Sequence, residues 1–168
     1  MAEKLVELLF QSWEDLDHAI EGLSASEAEA RHQGLSPVSW TVGHVSQQVD
    51  SWFNVRFAGG QPHPLLGDAM FRTGASGDAP AWETVLAAVA DVREAARRFL
   101  DTVGTEDLER VVPYTGGIEY LRPVGLKLSY ALMRTATHHF LHGGEIVTVR
   151  SLIGRSADDS WVWGTALI

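Results

Sequence analysis

Residues 128–153 read LSYALMRTATHHFLHGGEIVTVRSLI and carry the longest helical pattern of the chain. Apolar and small residues recur there at spacings of three and four, which is the period of one face of an α-helix. The stripe comprises Leu128, Leu132, Thr135, His139, His142, Ile146, Val149 and Ile153. The pattern predicts a helix over about residues 125–153.

The same periodicity predicts three further helices upstream of this one. The first covers about residues 3–22 and the second about residues 39–57. The third begins at Pro80, whose missing N–H costs nothing in a first helical turn, and its apolar stripe continues to Leu100. Four amphipathic helices in a chain of this length indicate an all-α fold, a four-helix bundle in a single domain over residues 1–168.

Local signals suggest where these elements begin and end. Gly22 predicts the end of the first helix, and Ser39 predicts the N-cap of the second. Ser26 followed by Glu29 predicts a capping box for a short helical turn between them. Before the fourth helix, two short apolar runs flank Gly116-Gly117, which predicts a small hairpin-like segment there.

The segment between the second and third helices bears on the topology. Residues 58–80 contain five Gly and three Pro and show no periodicity. A loop this long is unusual in a compact domain, and it is long enough to run the length of a helix. It therefore predicts parallel second and third helices and an up-down-down-up bundle with a long crossover. An up-down-up-down bundle with an ornamental loop is the alternative.

Composition excludes several classes of function. The chain has 22 acidic and 13 basic residues, a net charge of -9, so phosphate groups of nucleic acids and anionic membranes would repel it. Cysteine is absent, which excludes disulfides, Cys-ligated metals and a cysteine nucleophile. No apolar run approaches the roughly 20 residues that span a bilayer. We therefore expect a cytoplasmic protein whose metal ligands, if any, are His or carboxylate.

Histidines are the main candidates for chemistry. His138 and His142 are four residues apart, so both project from one helix face, a spacing that suits two ligands of one metal ion. His139 and His142 form a second geometrically admissible pair. His44 lies one turn after Trp40 on the second helix and is the third candidate, because inward residues of facing helices build the metal sites of bundles. The alternative is that these histidines bind nothing.

The residues that follow His142 add context. Gly143 and Gly144 each cost a helix about 1 kcal/mol relative to Ala, which predicts close approach of a backbone or ligand beside them. Tight helix–helix packing without a ligand is the alternative. Glu145 lies three residues after His142 on the same face. It could orient a ligand histidine, hold a proton or pair with an arginine.

Two segments together resemble a known family. Residues 39–45 (SWTVGHV) and 138–146 (HHFLHGGEI) are similar to the two motifs of the DinB-like (DinB/YfiT) metalloenzymes. The first motif is Trp, three residues and a metal-binding His. The second is His-x-x-x-His, one residue, Gly, Gln or Glu, and an aliphatic residue. The order of elements, the long second connection and the total length also match, so the resemblance covers nearly the whole chain.

The resemblance implies a metal site and a class of reaction. The family's ligands carry over to His44, His138 and His142, on a bundle that is often dimeric. Zn²⁺ is the first choice of ion and Ni²⁺ an alternative. Characterised relatives include thiol S-transferases and a mycothiol-dependent maleylpyruvate isomerase. They imply a low-molecular-weight thiol cosubstrate and an electrophile as partners. A thiol-dependent isomerase and a non-catalytic metal-binding or stress-response bundle are the alternatives.

Further residues receive expected roles in this interpretation. Glu145, where many family members have Gln, is the candidate for orienting a ligand imidazole. Arg134 and Arg150 could meet an anionic cosubstrate, although solvation is their alternative role. His139 should point away from the site, because successive helical residues differ in direction by about 100°.

The tryptophans suggest an oligomeric state. The chain has more large aromatic area than one small core readily uses, which predicts a two-fold homodimer. The alternative is that every ring is buried within one chain. The residues concerned are Trp13, Trp52, Trp82, Trp161 and Trp163.

Overall fold

A computed structural model describes residues 1–75 and 77–155. Within them the helices are α1 (Ala2–Ile20), α2 (Ala25–Glu29), α3 (Val38–Val49), α4 (Trp82–Leu100) and α5 (Leu128–Leu152). The end of α3 widens into a π-helix, Asp50–Phe57, without a break. The fold is mostly helical, as predicted, and the four long helical segments lie where the periodicity predicted them.

Apolar stripes explain why the long helices pack together. On α1, Leu9, Trp13 and Leu16 are buried, whereas Glu3 and Glu14 on the other side are exposed. Each such large apolar side chain contributes about 1.5–3 kcal/mol when it leaves water. None of the described helices combines the length and the apolar character needed to cross a bilayer.

The predicted capping box is displaced by two residues. The Ser24 side chain accepts a hydrogen bond from the Glu27 backbone, and the Glu27 carboxylate accepts one from the Ser24 N–H. The prediction of Ser26 with Glu29 is therefore wrong. Glu29 instead accepts a hydrogen bond from the backbone N–H of Trp82, at 2.7 Å. This tertiary contact serves the first turn of α4, whose early N–H groups lack helical partners.

Helix α3 begins one residue before its predicted cap. Its N-cap is Pro37, so Ser39 lies inside the first turn and is fully buried. The prediction of Ser39 as the N-cap is wrong because Pro37 already has the extended backbone of a cap residue. Helix α1 ends just before Gly22, whose φ of 71° is the left-handed conformation typical of a helix stop.

Contacts between the helices show their relative directions. Asn54 donates to the Val92 carbonyl, and the Phe57 and Phe99 rings stack with centroids 6.1 Å apart. From the first contact to the second, the residues move toward the C-terminus both of α3 with its π-helical end and of α4. Between that segment and α5 the order is reversed: Trp52 contacts Tyr130, and His44 contacts His142.

The connection between the second and third long helices packs against α3. The Phe71 ring lies over Gly43, where no side chain intervenes. The indole N–H of Trp40 donates to the Met70 carbonyl at 2.6 Å, and the Gln47 amide donates to two further carbonyls of the connection. This segment is therefore part of the packed fold rather than an ornament.

The small sheet differs from the predicted hairpin. Strand β1 (Val111–Val112) pairs antiparallel with β2 (Leu126–Lys127), rather than with a strand just after Gly116-Gly117. Tyr120, in the apolar run after Gly116-Gly117, lies in a 3₁₀ turn and is 63% exposed. Leu126 is fully buried. Burial of this leucine explains the longer pairing, because register follows the residue that faces the core.

Three of the tryptophans behind the homodimer prediction are buried within one chain. Trp13, Trp52 and Trp82 are at most 4% exposed. They therefore offer no surface to a second copy. Trp161 and Trp163 lie outside the described residues.

We expect Gly43→Ala to destabilise the protein by about 1–3 kcal/mol, the usual cost of overpacking a filled interior. A Cβ at Gly43 would overlap the Phe71 ring. Gly144→Ala is the matched control, because its Cβ would have no neighbour within 4 Å in the described part of the chain. The control should gain up to about 1 kcal/mol from better helix propensity. Urea unfolding measures both, and wild-type stability in Gly43→Ala would contradict the prediction.

Candidate metal centre

Three histidines from two helices converge. His44 on α3 and His138 and His142 on α5 each offer one ligand atom, and these atoms lie within 4.8 Å of one another. The centroid of the His44 ring is 5.0 Å from that of His138 and 5.1 Å from that of His142. The structure thus brings together the three residues predicted from spacing and from family resemblance. Whether they hold a metal stays a prediction.

The orientation of His44 depends on the connection between α3 and α4. Its Nδ1 lies 2.6 Å from the Phe71 carbonyl oxygen, which can only accept, so Nδ1 carries the proton. The Trp40 ring stacks on the imidazole with centroids 4.8 Å apart and planes 6° from parallel. Trp40 is itself held by its hydrogen bond to Met70. Two carbonyls of the same connection, those of Phe71 and Met70, therefore determine the orientation of the His44 ring, the first directly and the second through Trp40.

The two histidines on α5 are oriented by side chains. Nδ1 of His138 lies 3.0 Å from Oε1 of Gln48 on α3, and Nδ1 of His142 lies 2.6 Å from Oε2 of Glu145, one turn further along α5. A carboxylate accepts only, and the amide oxygen accepts as well. All three imidazoles therefore carry their proton on Nδ1, which leaves the three Nε2 lone pairs available as ligands.

The spacing of these nitrogens fits a bound cation. Nε2 of His138 lies 3.0 Å from Nε2 of His142. Since both rings are protonated on Nδ1, two lone pairs face each other, which is unfavourable unless a positive charge lies beside them. Two nitrogens bound at 2.0–2.1 Å to one tetrahedral Zn²⁺ would be about 3.3 Å apart. The donor set of three imidazoles therefore suits Zn²⁺, Ni²⁺ or a similar divalent ion.

Burial favours the neutral form of two of these imidazoles, His138 and His44. Loss of solvent lowers the pKa of His138 to about 3, and the neighbouring His142 and His44 act in the same direction. Burial also lowers the pKa of His44. A neutral ring is the form that binds a metal ion, because a proton on Nε2 would occupy the ligand lone pair.

His139 points away from the centre, as predicted. Its Nδ1 donates to the Thr135 carbonyl at 2.9 Å, and the side chain is 1% exposed. The alternative pair of His139 with His142 is therefore not formed. Burial lowers the pKa of His139 to about 3, with the charge of Arg93 as a further cause.

The two glycines after His142 do not mark tight packing in the described structure. Apart from the adjacent residues and the nearby backbone of α5 itself, a Cβ at Gly143 or at Gly144 would meet no atom of the described residues within 4 Å. The expected close approach of a backbone is therefore absent from residues 1–75 and 77–155. Gly143 is nevertheless buried, on the side of α5 that carries Ile146.

The two candidate arginines differ in what they contact. Arg150 donates to the carbonyls of Ala19 and Glu21, where α1 ends, at 3.2 and 2.6 Å. Its expected role toward a cosubstrate is therefore wrong, because the guanidinium satisfies the last carbonyls of α1. Arg134 lies near His138, and its guanidinium makes no hydrogen bond or ion pair within the described part of the chain.

Two residues of the site were not predicted from the sequence. Gln48 lies four residues after His44, so helical spacing alone could have placed it on the same side of α3. Phe71 carries no such signal. It contributes a backbone carbonyl from an irregular segment, and any residue type has one.

The chain belongs to the DinB superfamily, whose family model matches residues 8–146. A conserved protein from Enterococcus faecalis, known from its crystal structure, has a similar fold, with a TM-score of 0.70 and 15% sequence identity. The similarity covers 92% of this chain and 98% of that one. No curated protein matches the chain. The predicted family is therefore confirmed by the family match.

Replacing any one of the three converging histidines with Ala should abolish binding of one Zn²⁺ per chain, because two imidazoles alone hold the ion weakly. His139→Leu is the matched control and should bind Zn²⁺ normally, since its ring points away. Isothermal titration with Zn²⁺ and metal analysis of the purified protein measure this. Undiminished affinity in His142→Ala would contradict the assignment, as would complete loss of Zn²⁺ in the folded control.

Glu145→Ala should lower metal affinity by about 10–100-fold, the usual effect of removing a group that orients a ligand imidazole. Gln48→Leu should act in the same direction, because the His138 proton loses its acceptor. Glu145→Gln retains an acceptor oxygen and should lose less than Glu145→Ala. Competition against a chelator of known affinity ranks the variants. Equal affinity for Glu145→Ala and wild type would show that the 2.6 Å contact orients nothing.

His139 should make the stability of the metal-free protein depend on pH. Its pKa is about 3 in the folded state and about 6.5 in an unfolded chain, so the unfolded state alone binds the proton between these values. Stability should therefore fall as the pH falls below about 6.5. In His139→Leu the slope between pH 4 and 5.5 should be shallower by about 1.4 kcal/mol per pH unit. Urea unfolding at several pH values tests this, and an unchanged slope would contradict it.

Proposed function

We propose that this member of the DinB superfamily is a metal-dependent transferase that joins a low-molecular-weight thiol to an electrophile. The observation that supports the proposal is the set of three Nε2 atoms, each left free by a hydrogen bond on the opposite ring nitrogen. A closed structural site commonly has four protein ligands, whereas a site with three keeps a position for a reactant. Zn²⁺ is the proposed ion, with Ni²⁺ as the alternative.

His44, His138 and His142 would hold the ion. When bound to neutral imidazoles, a divalent cation lowers the pKa of a water or thiol ligand toward neutrality and so supplies a nucleophile. The chain itself orients the site through Phe71, Gln48 and Glu145, as described above. Because His44 is buried, water is excluded from that side of the site.

The chemistry requires a thiol from outside the chain, because the sequence contains no cysteine. In the proposed reaction the thiol loses its proton to solvent, and its sulfur forms a bond to an electrophilic carbon. The leaving group departs with the electron pair of the bond that breaks. Arg134, which has no ion-pair partner among the described residues, would attract an anionic thiol or leaving group.

The proposal includes an assembly and a location. The helix directions support an up-down-down-up bundle, because contacts advance in the same sense along α3 and α4 and in the opposite sense along α3 and α5. A cytoplasmic homodimer is the proposed form. Met133 and Leu141, which are 49% and 59% exposed on α5, support a contact between copies.

The thiol-transfer proposal predicts that the Zn²⁺-loaded or Ni²⁺-loaded protein consumes thiol faster than a protein-free mixture does. The assay offers several bacterial thiols together with a chlorinated dinitrobenzene or a bimane, and follows product absorbance or fluorescence. His142→Ala should be inactive because it lacks a ligand, whereas His139→Leu should stay active.

A rate no higher than the protein-free rate, for every thiol and several metals, would overturn S-transfer. If the protein nevertheless binds one metal per chain, a non-catalytic metal-binding bundle or a thiol-dependent isomerase would take its place. Conversion of maleylpyruvate in the presence of a thiol separates these two.

A further inference from the structure

A pocket of about 320 Å³ lies beside the histidine cluster, between the start of α3 and the last turns of α5. The segment that precedes α3 closes a further side. Its volume is at the lower end of the range for small-molecule sites. Glu145 contributes to its wall and also accepts the hydrogen bond of His142. The pocket and the candidate metal centre therefore share one carboxylate.

Most of the lining is apolar. Leu35 comes from the segment before α3, Val38 from the first turn of α3, and Ile146 and Val149 from α5. These side chains offer a surface on which a hydrocarbon or aromatic body can leave water, at about 25 cal/mol for each Å² buried.

Two hydroxyl groups of the lining, those of Thr41 and Thr148, can only accept hydrogen bonds from a ligand. The Thr41 hydroxyl donates to the Pro37 carbonyl, and the Thr148 hydroxyl donates to the Gly144 carbonyl. Each hydroxyl therefore has only lone pairs left for a ligand. Oε2 of Glu145 accepts from His142, and its Oε1 has no hydrogen-bond partner among the described residues.

The charge of the lining is negative. Glu145 is the charged side chain among the lining residues, and its side chain is 55% exposed. Arg31, in the preceding segment, directs its guanidinium to the carbonyls of Leu35 and Gly77. The N-terminus of α3 adds the equivalent of about half a positive charge, which is less than the full charge of the carboxylate.

We propose that this pocket binds a small molecule with an apolar body that ends in an ammonium group. The ammonium has three N–H donors and no acceptor, which complements Oε1 of Glu145 and the two threonine oxygens. The body of the ligand covers the apolar wall. This site goes beyond the proposed function and does not rest on it, because no metal ion takes part in the recognition.

Three probes of one shape and different charge test the proposal: benzylammonium, benzyl alcohol and benzoate. Each is titrated into the full-length purified protein, and binding is followed by chemical shifts of the amides around the pocket. Benzylammonium should bind about tenfold more tightly than either of the others, which is the contribution of one charge-assisted hydrogen bond. Equal or tighter binding of benzoate or benzyl alcohol would overturn the proposal.

Matched variants show whether benzylammonium binds in this pocket. Thr148→Phe places a ring in the pocket from an exposed position and should abolish binding of benzylammonium. Thr137→Phe alters a comparable exposed threonine of α5 outside the lining and should bind as the wild type does. Glu145→Gln should reduce benzylammonium affinity to that of benzyl alcohol. Unchanged affinity in Thr148→Phe or in Glu145→Gln would contradict the assignment.

His44→Ala separates this site from the metal centre. It removes a candidate metal ligand and leaves Glu145 with its partner His142 in place. Benzylammonium should bind this variant as it binds the wild type, even where Zn²⁺ binding is lost. Loss of benzylammonium binding in the folded variant would overturn an independent pocket, whereas a failed thiol assay would leave the pocket untouched.

Discussion

The candidate site depends on one requirement: every imidazole at the cluster must donate its Nδ1 proton to a hydrogen-bond acceptor. The acceptors are a backbone carbonyl of Phe71, an amide of Gln48 and a carboxylate of Glu145. Only then are all three Nε2 lone pairs available at one place. The connection after α3 must be docked and α3 must face α5, so the fold and the site form together.

The long connection acquires a physical purpose in this arrangement. A short turn could join two helices, yet it could not lay a carbonyl beside a side chain in the middle of α3. Gly43 lets the Phe71 ring approach the helix, and the following residue, His44, receives the Phe71 carbonyl. The placement of Phe71 against α3 thus both fills the space at Gly43 and orients the candidate metal ligand His44. Because the lone pairs of His138 and His142 face each other at 3.0 Å, a bound cation would also stabilise this packing.

Three of the wrong predictions share a cause. Glu29, Arg150 and the partner of β1 were all interpreted from neighbours in sequence. In the structure Glu29 binds the first turn of α4, Arg150 binds the last carbonyls of α1, and Val112 pairs with Leu126. Each of these groups finds a partner that is distant in the chain. A sequence pattern shows only which neighbouring residues could form hydrogen bonds with each other. In the folded chain, a buried polar group forms its hydrogen bond with whichever partner the tertiary fold brings within reach.

The sequence by itself determined the helical class, the places of the four long helices and the three histidines that converge. These features follow from periods of three and four residues, which operate within a single helix, and from two motifs of the DinB superfamily. Tertiary structure alone decided which carbonyl holds His44, which carbonyls hold Arg150 and where a pocket opens beside Glu145. The physical reason is that hydrogen bonds and cavities between elements depend on how helices and connections pack against each other, and no spacing along the chain records that.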